Sequence, residues 1–269
     1  MNQSDDATCF VQVNLTNPGQ YFACCGLLEL ADRLWGGAAG WFEPGKFILR
    51  PEEPRHPGPY DLRTLIANVA SAELIPVDKT DRYSTPIEIQ APVDLTLDWW
   101  KDTRANGERL KVWAGTMSSI MISRAMQGAL REVCVPFESI FDLAMIVNDA
   151  ENETKKREPF YFDARRGTNS QSVDVGFSTD QLSMNSVAFP AVEFLCLIGL
   201  QRFRPATTEK HRIFLYFTWK TPLDPRLASV AACGKLPGVG GKGYRFENAF
   251  RTSQRKHKAF TNANPLKGD

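Results

Sequence analysis

Asn17-Pro18-Gly19-Gln20-Tyr21-Phe22-Ala23-Cys24-Cys25-Gly26-Leu27-Leu28-Glu29-Leu30-Ala31-Asp32-Arg33-Leu34-Trp35 is the stretch from which the fold is read. Asn17 is suited to accept from an orphan amide, Pro18 has a φ already set for a first turn, and no β-branched residue interrupts the run, so a helix is predicted. Its apolar face carries Phe22, Cys25, Leu28, Leu34 and Trp35, with Glu29, Asp32 and Arg33 on the other side. Gly26 leaves a flat spot on the helix. Glycine inside a helix costs roughly 1 kcal/mol relative to alanine, so its presence predicts that another backbone passes close by. Core packing is the role this helix is expected to fill.

Working outward, 269 residues with 43% hydrophobic and 11% aromatic content are enough for a substantial core, as one large domain or two small ones. Net charge is +1, but it is unevenly placed. From Gln201 to Asp269 there are 14 Lys plus Arg against 4 Asp plus Glu, a balance of +10, which leaves −9 on the first 200 residues. A basic end on a mildly acidic body points to a polyanionic partner or to the acidic face of another subunit. The cysteines (Cys9, Cys24, Cys25, Cys134, Cys196 and Cys233) form no C-x-x-C pair, and most sit in apolar runs. No signal-peptide pattern opens the chain and no stretch reaches the roughly 18 apolar residues of a membrane span, so a cytoplasmic location without membrane contact is expected.

Before the organising helix, Cys9 to Leu15 alternates as a half-buried strand does. After it, Gly36-Gly37 stops the helix, and Trp41-Phe42 with Lys46 to Arg50 predicts a hairpin around Pro44-Gly45. Pro51 to Pro59 reads as a surface loop, and Asp61 to Leu74 as a helix capped by Asp61. Pro86 to Trp100 is extended, with Pro92 marking an edge or a bend. A helix follows from Met117 to about Val133, then a strand or buried helix end at Phe141 to Val147, then a charged loop from Asn148 to Pro159. Phe189 to Leu200 echoes the opening helix when Gly26 is aligned with Gly199, with the prolines one residue out of register; two related strand-and-helix halves, or the common features of apolar helices, both account for it. His211 to Trp219 reads as an aromatic strand. The fold class is therefore α+β: a mixed, mainly antiparallel sheet with packed helices, the echo admitting two ferredoxin-like halves. The segments are taken as 1–150, 151–225 and a basic, glycine-rich 226–269.

Two runs carry the candidate binding chemistry. Tyr161-Phe162-Asp163-Ala164-Arg165-Arg166-Gly167 sets an arginine pair beside a glycine: Arg165 and Arg166 suit bidentate phosphate binding with Asp163 orienting one guanidinium, or equally a surface turn with an internal ion pair. The second run lies between Lys235 and Lys258. Its glycines admit close approach of phosphates, Lys235, Lys242, Arg245, Arg251, Arg255, Lys256 and Lys258 neutralise charge, and Tyr244 and Phe246 are of the type that stacks on bases. A flexible basic terminus is the plain alternative. It is not a nucleotide P-loop, since Gly241-Lys242 is followed by Gly243. Three isolated histidines, His56, His211 and His257, give neither a metal set nor a nucleophile-base pair, so no catalytic residue, cofactor or metal is assigned. Cys24-Cys25 are the right chemistry for a nucleophile but belong to the buried-looking helix.

The entry Leu15 to Ala31 resembles the start of type I CRISPR large-subunit proteins, most closely the short ones of type I-U systems, the third Csb family. Trp99-Trp100-Lys101 to Trp113-Ala114-Gly115, Phe162 to Gly167, and Gln201-Arg202-Phe203-Arg204-Pro205 are similar in order and spacing. The resemblance implies a non-catalytic, antiviral-defence subunit of a crRNA-guided surveillance complex (Cascade), with other Cascade subunits, crRNA and target DNA as partners and a role in DNA binding or RNA binding during target recognition. At 269 residues the chain is short for a large subunit, and no C-terminal helical bundle is apparent. The competing readings are a repeat-associated ferredoxin-like RNA endonuclease that processes crRNA, with His211 or His56 as base, and a protein-only scaffold.

Overall fold

The computed structural model describes residues 8–52, 58–166, 187–251 and 255–267. Strand β1 (Cys9–Gln12) feeds helix α1 (Pro18–Trp35), and the hairpin β2 (Ala38–Glu43) and β3 (Lys46–Pro51) follows. Asn17 caps α1 from an extended backbone, its side chain accepting from Gly19 N, and Pro18 occupies the first turn. The helix ends where Gly36 takes the left-handed conformation, φ 76°, that a Cβ would oppose.

The helix is buried on nearly every side, which corrects the amphipathic reading of it. Glu29, placed on the polar face by its spacing, is 1% exposed and accepts from Arg33 and Arg202. Burial pushes its carboxyl up, but the bonds and charges of Arg202 and then Arg33 outweigh this and hold it below the usual value. Arg202 ends α5 (Pro190–Arg202), a helix apolar all round whose residues Pro190 to Leu200 are buried.

α1 and α5 cross at their glycines. A Cβ on Gly199 would stand 2.8 Å from Gly26 N and closer still to the Phe22 carbonyl; one on Gly26 would stand 3.1 Å from Gly199 N and press on the Leu195 carbonyl. The two residues matched by the internal echo are thus the ones that meet, and they let the two backbones touch.

Between the two helices in sequence lie α2 (Leu62–Ser71), β4 (Leu74–Pro76), β5 (Ile87–Ile89), β6 (Leu95–Leu97), the short α3 (Gly107–Leu110), α4 (Ser119–Ala129) and the hairpin β7 (Asn148–Asp149) and β8 (Asn152–Lys156). Asp61 caps α2 by accepting from Thr64 N, as expected; the helix stops at Ser71, and Leu74 opens a strand. The extended run around Pro92 is a hairpin whose turn holds a cis Ala91-Pro92 bond. The predicted charged loop from Asn148 is instead the β7–β8 hairpin. After α5 come β9 (Ala206–Thr207), β10 (Ile213–Phe217), α6 (Pro225–Ala232), β11 (Gly243–Phe250), β12 (Lys258–Phe260) and β13 (Asn264–Pro265).

Every paired strand is antiparallel, which with the packed helices makes the fold α+β. One sheet runs β1-β3-β2; another runs β12-β11-β10-β9 with β13 also on β11; a third runs β4-β5-β6. Residues just past β10 join the first two sheets: Phe42 N donates to Trp219 O, and Gly40 and Leu223 exchange backbone bonds. The start, β-α-β-β paired in the order β1-β3-β2, is not repeated by the later strands, which pair in the order β12-β11-β10-β9 with α6 inserted between β10 and β11. A single cluster of buried side chains draws on residues from all three sequence segments, 1–150, 151–225 and 226–269. At its centre Tyr21 stacks on Tyr216 and Phe42, Tyr21 Oη donates to Phe217 O, Tyr216 Oη to Leu15 O, and Trp219 Nε1 to Gly40 O, so each polar tip is satisfied. Among the described residues no helix is long and apolar enough to cross a membrane.

Candidate nucleic-acid interface

The arginine pair is engaged by neighbouring acids and rings. A polar knot forms where the segment at 162–166 meets the start of α1 and α5. Asn17 Nδ2 donates to Asp163, Ala164 N donates back to Asn17, and Glu193 accepts from the amides of Phe162 and Asp163 at 3.1 and 3.0 Å. Arg165 Nε donates to Asp163, Nη1 to Asp142 and Nη2 to Asp163 and the Phe141 carbonyl, while its guanidinium carbon lies 3.4 Å from the Phe189 ring centre. Asp163 is fully buried, and Arg165 is its counter-charge. Arg166 is 7% exposed and donates to Tyr161 Oη and Glu158. The internal ion pair is present at both arginines, with Arg166 buried and Arg165 still exposed at the surface. Gly167 lies outside the described residues.

Glu193 is the unusual member of the knot. Burial, chiefly, and the nearby Asp163 charge push its carboxyl up to about 7, against the amides that favour the ionised form. The sequence gives no sign of this residue's role, because its partners lie about thirty residues away on a segment with no regular structure.

The aromatic half of the second run also belongs to the core. Tyr244 and Phe246 alternate inward from β11, 6% and 2% exposed. Tyr244 stacks on Tyr216, and Phe246 packs on Phe22, Phe214 and Phe260. Neither ring is free to stack on a base, which corrects that part of the expectation. Arg251 lays its guanidinium 3.3 Å from the Tyr161 ring centre, and Lys258 Nζ donates to the carbonyls of Glu108 and Arg109. Burial lowers the Lys258 amine to about 8, assisted by Lys111 and Arg212 and opposed by Glu108.

Lys235, Lys242, Arg245, Arg255 and Lys256 remain exposed. Lys242 stands at the entry to β11, where its amide and carbonyl bond to Thr218, and Arg245 projects outward opposite Leu215. Lys220, exposed beside this entry with its amide on Val239 O, adds a cation just beyond the predicted aromatic strand. Arg255 and Lys256 lie past the other end of β11, before β12. Eight residues of strand span about 27 Å, so the cations flank an extended track and do not converge on one pocket.

His211 is exposed in a turn, and His56 lies outside the described residues. His257 is half-buried, and burial, then Arg251 and Lys256, lower its pKa. Cys24 and Cys25 are fully buried, and burial raises both thiols well above their usual range. Among the described residues no group of three or more His, Cys, Asp or Glu is placed to hold a metal ion. Comparison of the chain with protein-family models, with curated proteins and with solved structures found no match.

Proposed function

We propose that this chain is a non-catalytic, large-subunit-like component of a type I CRISPR surveillance complex in the cytoplasm. In this reading the cations along β11 contact the backbone of target DNA or crRNA, and the acidic body docks on other Cascade subunits. The observation that carries it is the set of exposed charges on and flanking one strand: Lys242 and Arg245 at the start of β11, Arg255 and Lys256 past its end. A length of about 27 Å corresponds to roughly eight steps of duplex, enough for several phosphates to be met at once. The segments that carry the resemblance are mostly core-forming: α1, the Trp99-Trp100-Trp113 cluster, the knot around Asp163 and the end of α5. The likeness therefore concerns the scaffold, and the exposed cations concern what the scaffold carries.

The test is binding of DNA and RNA by the assembled complex across a salt series, with Lys242, Arg245, Arg255 and Lys256 changed together to alanine. Weaker binding with a flatter salt dependence supports the reading. Failure of assembly favours the protein-only scaffold, and a defined cleavage product from repeat RNA favours the endonuclease.

A further inference from the structure

The β1-β3-β2 sheet has a second face that is only partly covered, Trp41 on it also touching the edge of the core. Val11, Phe47, Leu49 and Phe42 point inward and are buried. Register then puts Phe10, Ile48 and Trp41 side by side in one outward row, since Phe10 and Trp41 are both partners of Ile48. All three are only half-buried. A cation attends each ring: Lys46 Nζ lies 4.5 Å from the Phe10 ring centre, and the Arg50 guanidinium 5.7 Å from that of Trp41. Glu43 accepts from Trp41 Nε1 and so fixes the indole by its edge.

Two residues along β1 from Phe10, Gln12 lines a cavity of about 320 Å³ together with Asn14, Gln20, Asp142 and Arg165. Gln20 is 4% exposed, and its Oε1 accepts from Asn14 N at 2.7 Å, which fixes the sense of the amide. Its Nε2 has no acceptor among the described residues. This donor is not cut off from solvent, so water serves it in the free chain.

We infer that this face is a stacking platform for a single-stranded nucleic acid. Bases lie on Phe10 and Trp41, Lys46 and Arg50 turn from the rings to the phosphates, and a base edge or phosphate oxygen beyond Gln12 takes the Gln20 amide. The two rings are two strand spacings apart, about 10 Å, which suits two or three successive unstacked bases. A duplex hides its base faces and has no such use for the rings. The platform is distinct from the β11 track, which offers charge without accessible rings. An apolar protein surface would be served by the Phe10-Ile48-Trp41 row alone, without a cation over each ring.

The experiment measures binding of the full-length chain to labelled oligo-uridylate, oligo-thymidylate and duplex DNA, using Phe10→Ala with Trp41→Ala and the conservative pair Phe10→Tyr with Trp41→Phe. Removal of each ring is expected to weaken single-strand binding roughly tenfold, the conservative pair to restore it, and duplex binding to stay unchanged. The larger loss identifies RNA or DNA as the occupant. Absence of single-strand binding by the unmodified chain overturns the inference, as does equal binding by the alanine pair. Equal loss on single strands and duplex also overturns it, and loss of subunit assembly with single-strand binding intact assigns the face to protein docking.

Discussion

Gly26→Ala is the perturbation that reads the α1–α5 contact most cleanly. Helix propensity alone favours alanine by about 1 kcal/mol. Against it, the new methyl carbon would meet the Leu195 carbonyl and lie 3.1 Å from Gly199 N, and these are backbone atoms that no rotamer change can move. The helices must part by something near 1 Å, and overpacking of this kind costs up to about 3 kcal/mol. The net is a loss of about 2 kcal/mol. Gly128→Ala in α4 is the internal control: nothing stands within 4 Å of its added carbon, so propensity acts unopposed and stability should rise by about 0.5–1 kcal/mol. Urea denaturation of both variants beside the unmodified chain measures the difference. If the two substitutions shift the midpoint in the same direction, the backbone contact at Gly26 is not the constraint it is taken to be.

Two other outcomes follow from the polar knot. Arg165→Ala leaves the buried Asp163 carboxylate without its cation, so stability should fall by about 3 kcal/mol, while nucleic-acid binding by the remaining folded protein is unchanged; a binding defect at full stability would contradict the ion-pair role. Glu193, raised to about 7 from an unfolded value near 4.5, binds its proton more tightly in the folded chain, so its contribution is complete below the ordinary carboxyl range and is lost as pH rises toward 7. Urea midpoints between pH 5 and 8 should therefore decline more in the unmodified chain than in Glu193→Gln, and parallel profiles would show that Glu193 is ionised throughout.

What the sequence made legible were the features whose cause is local. The Asn17 cap, the Gly36 stop, the Asp61 cap and the Pro44-Gly45 turn are each decided by one or two residues, and the structure has them where they were placed. Gly26 also disclosed a close backbone, although not which one. Features set by distant partners were misread or left open. Glu29 looked solvent-facing because Arg202 is 173 positions away, and phosphate binding and an internal ion pair stayed equally open at Arg165 because Asp142 and Phe141 reach it from a short 3-10 helix earlier in the chain. Tyr244 and Phe246 carried a usable sign, since Tyr244, Phe246 and Asn248 alternate at the period of a half-buried strand, but the surrounding glycines and lysines drew the reading toward phosphate binding and base stacking.

The most direct measurement of the nucleic-acid role is the salt dependence of DNA and RNA binding for two paired variants of the assembled complex, Lys242→Ala with Arg245→Ala, and Arg255→Ala with Lys256→Ala. Each phosphate that is no longer neutralised should flatten the log-log slope by roughly 0.7 to 0.9, so each pair is expected to lower it by about 1.5 and the four changes together by about 3, additively because the pairs are separated by the length of β11. Slopes and affinities that stay the same in all three variants, with assembly intact, would contradict a backbone-binding track on this strand.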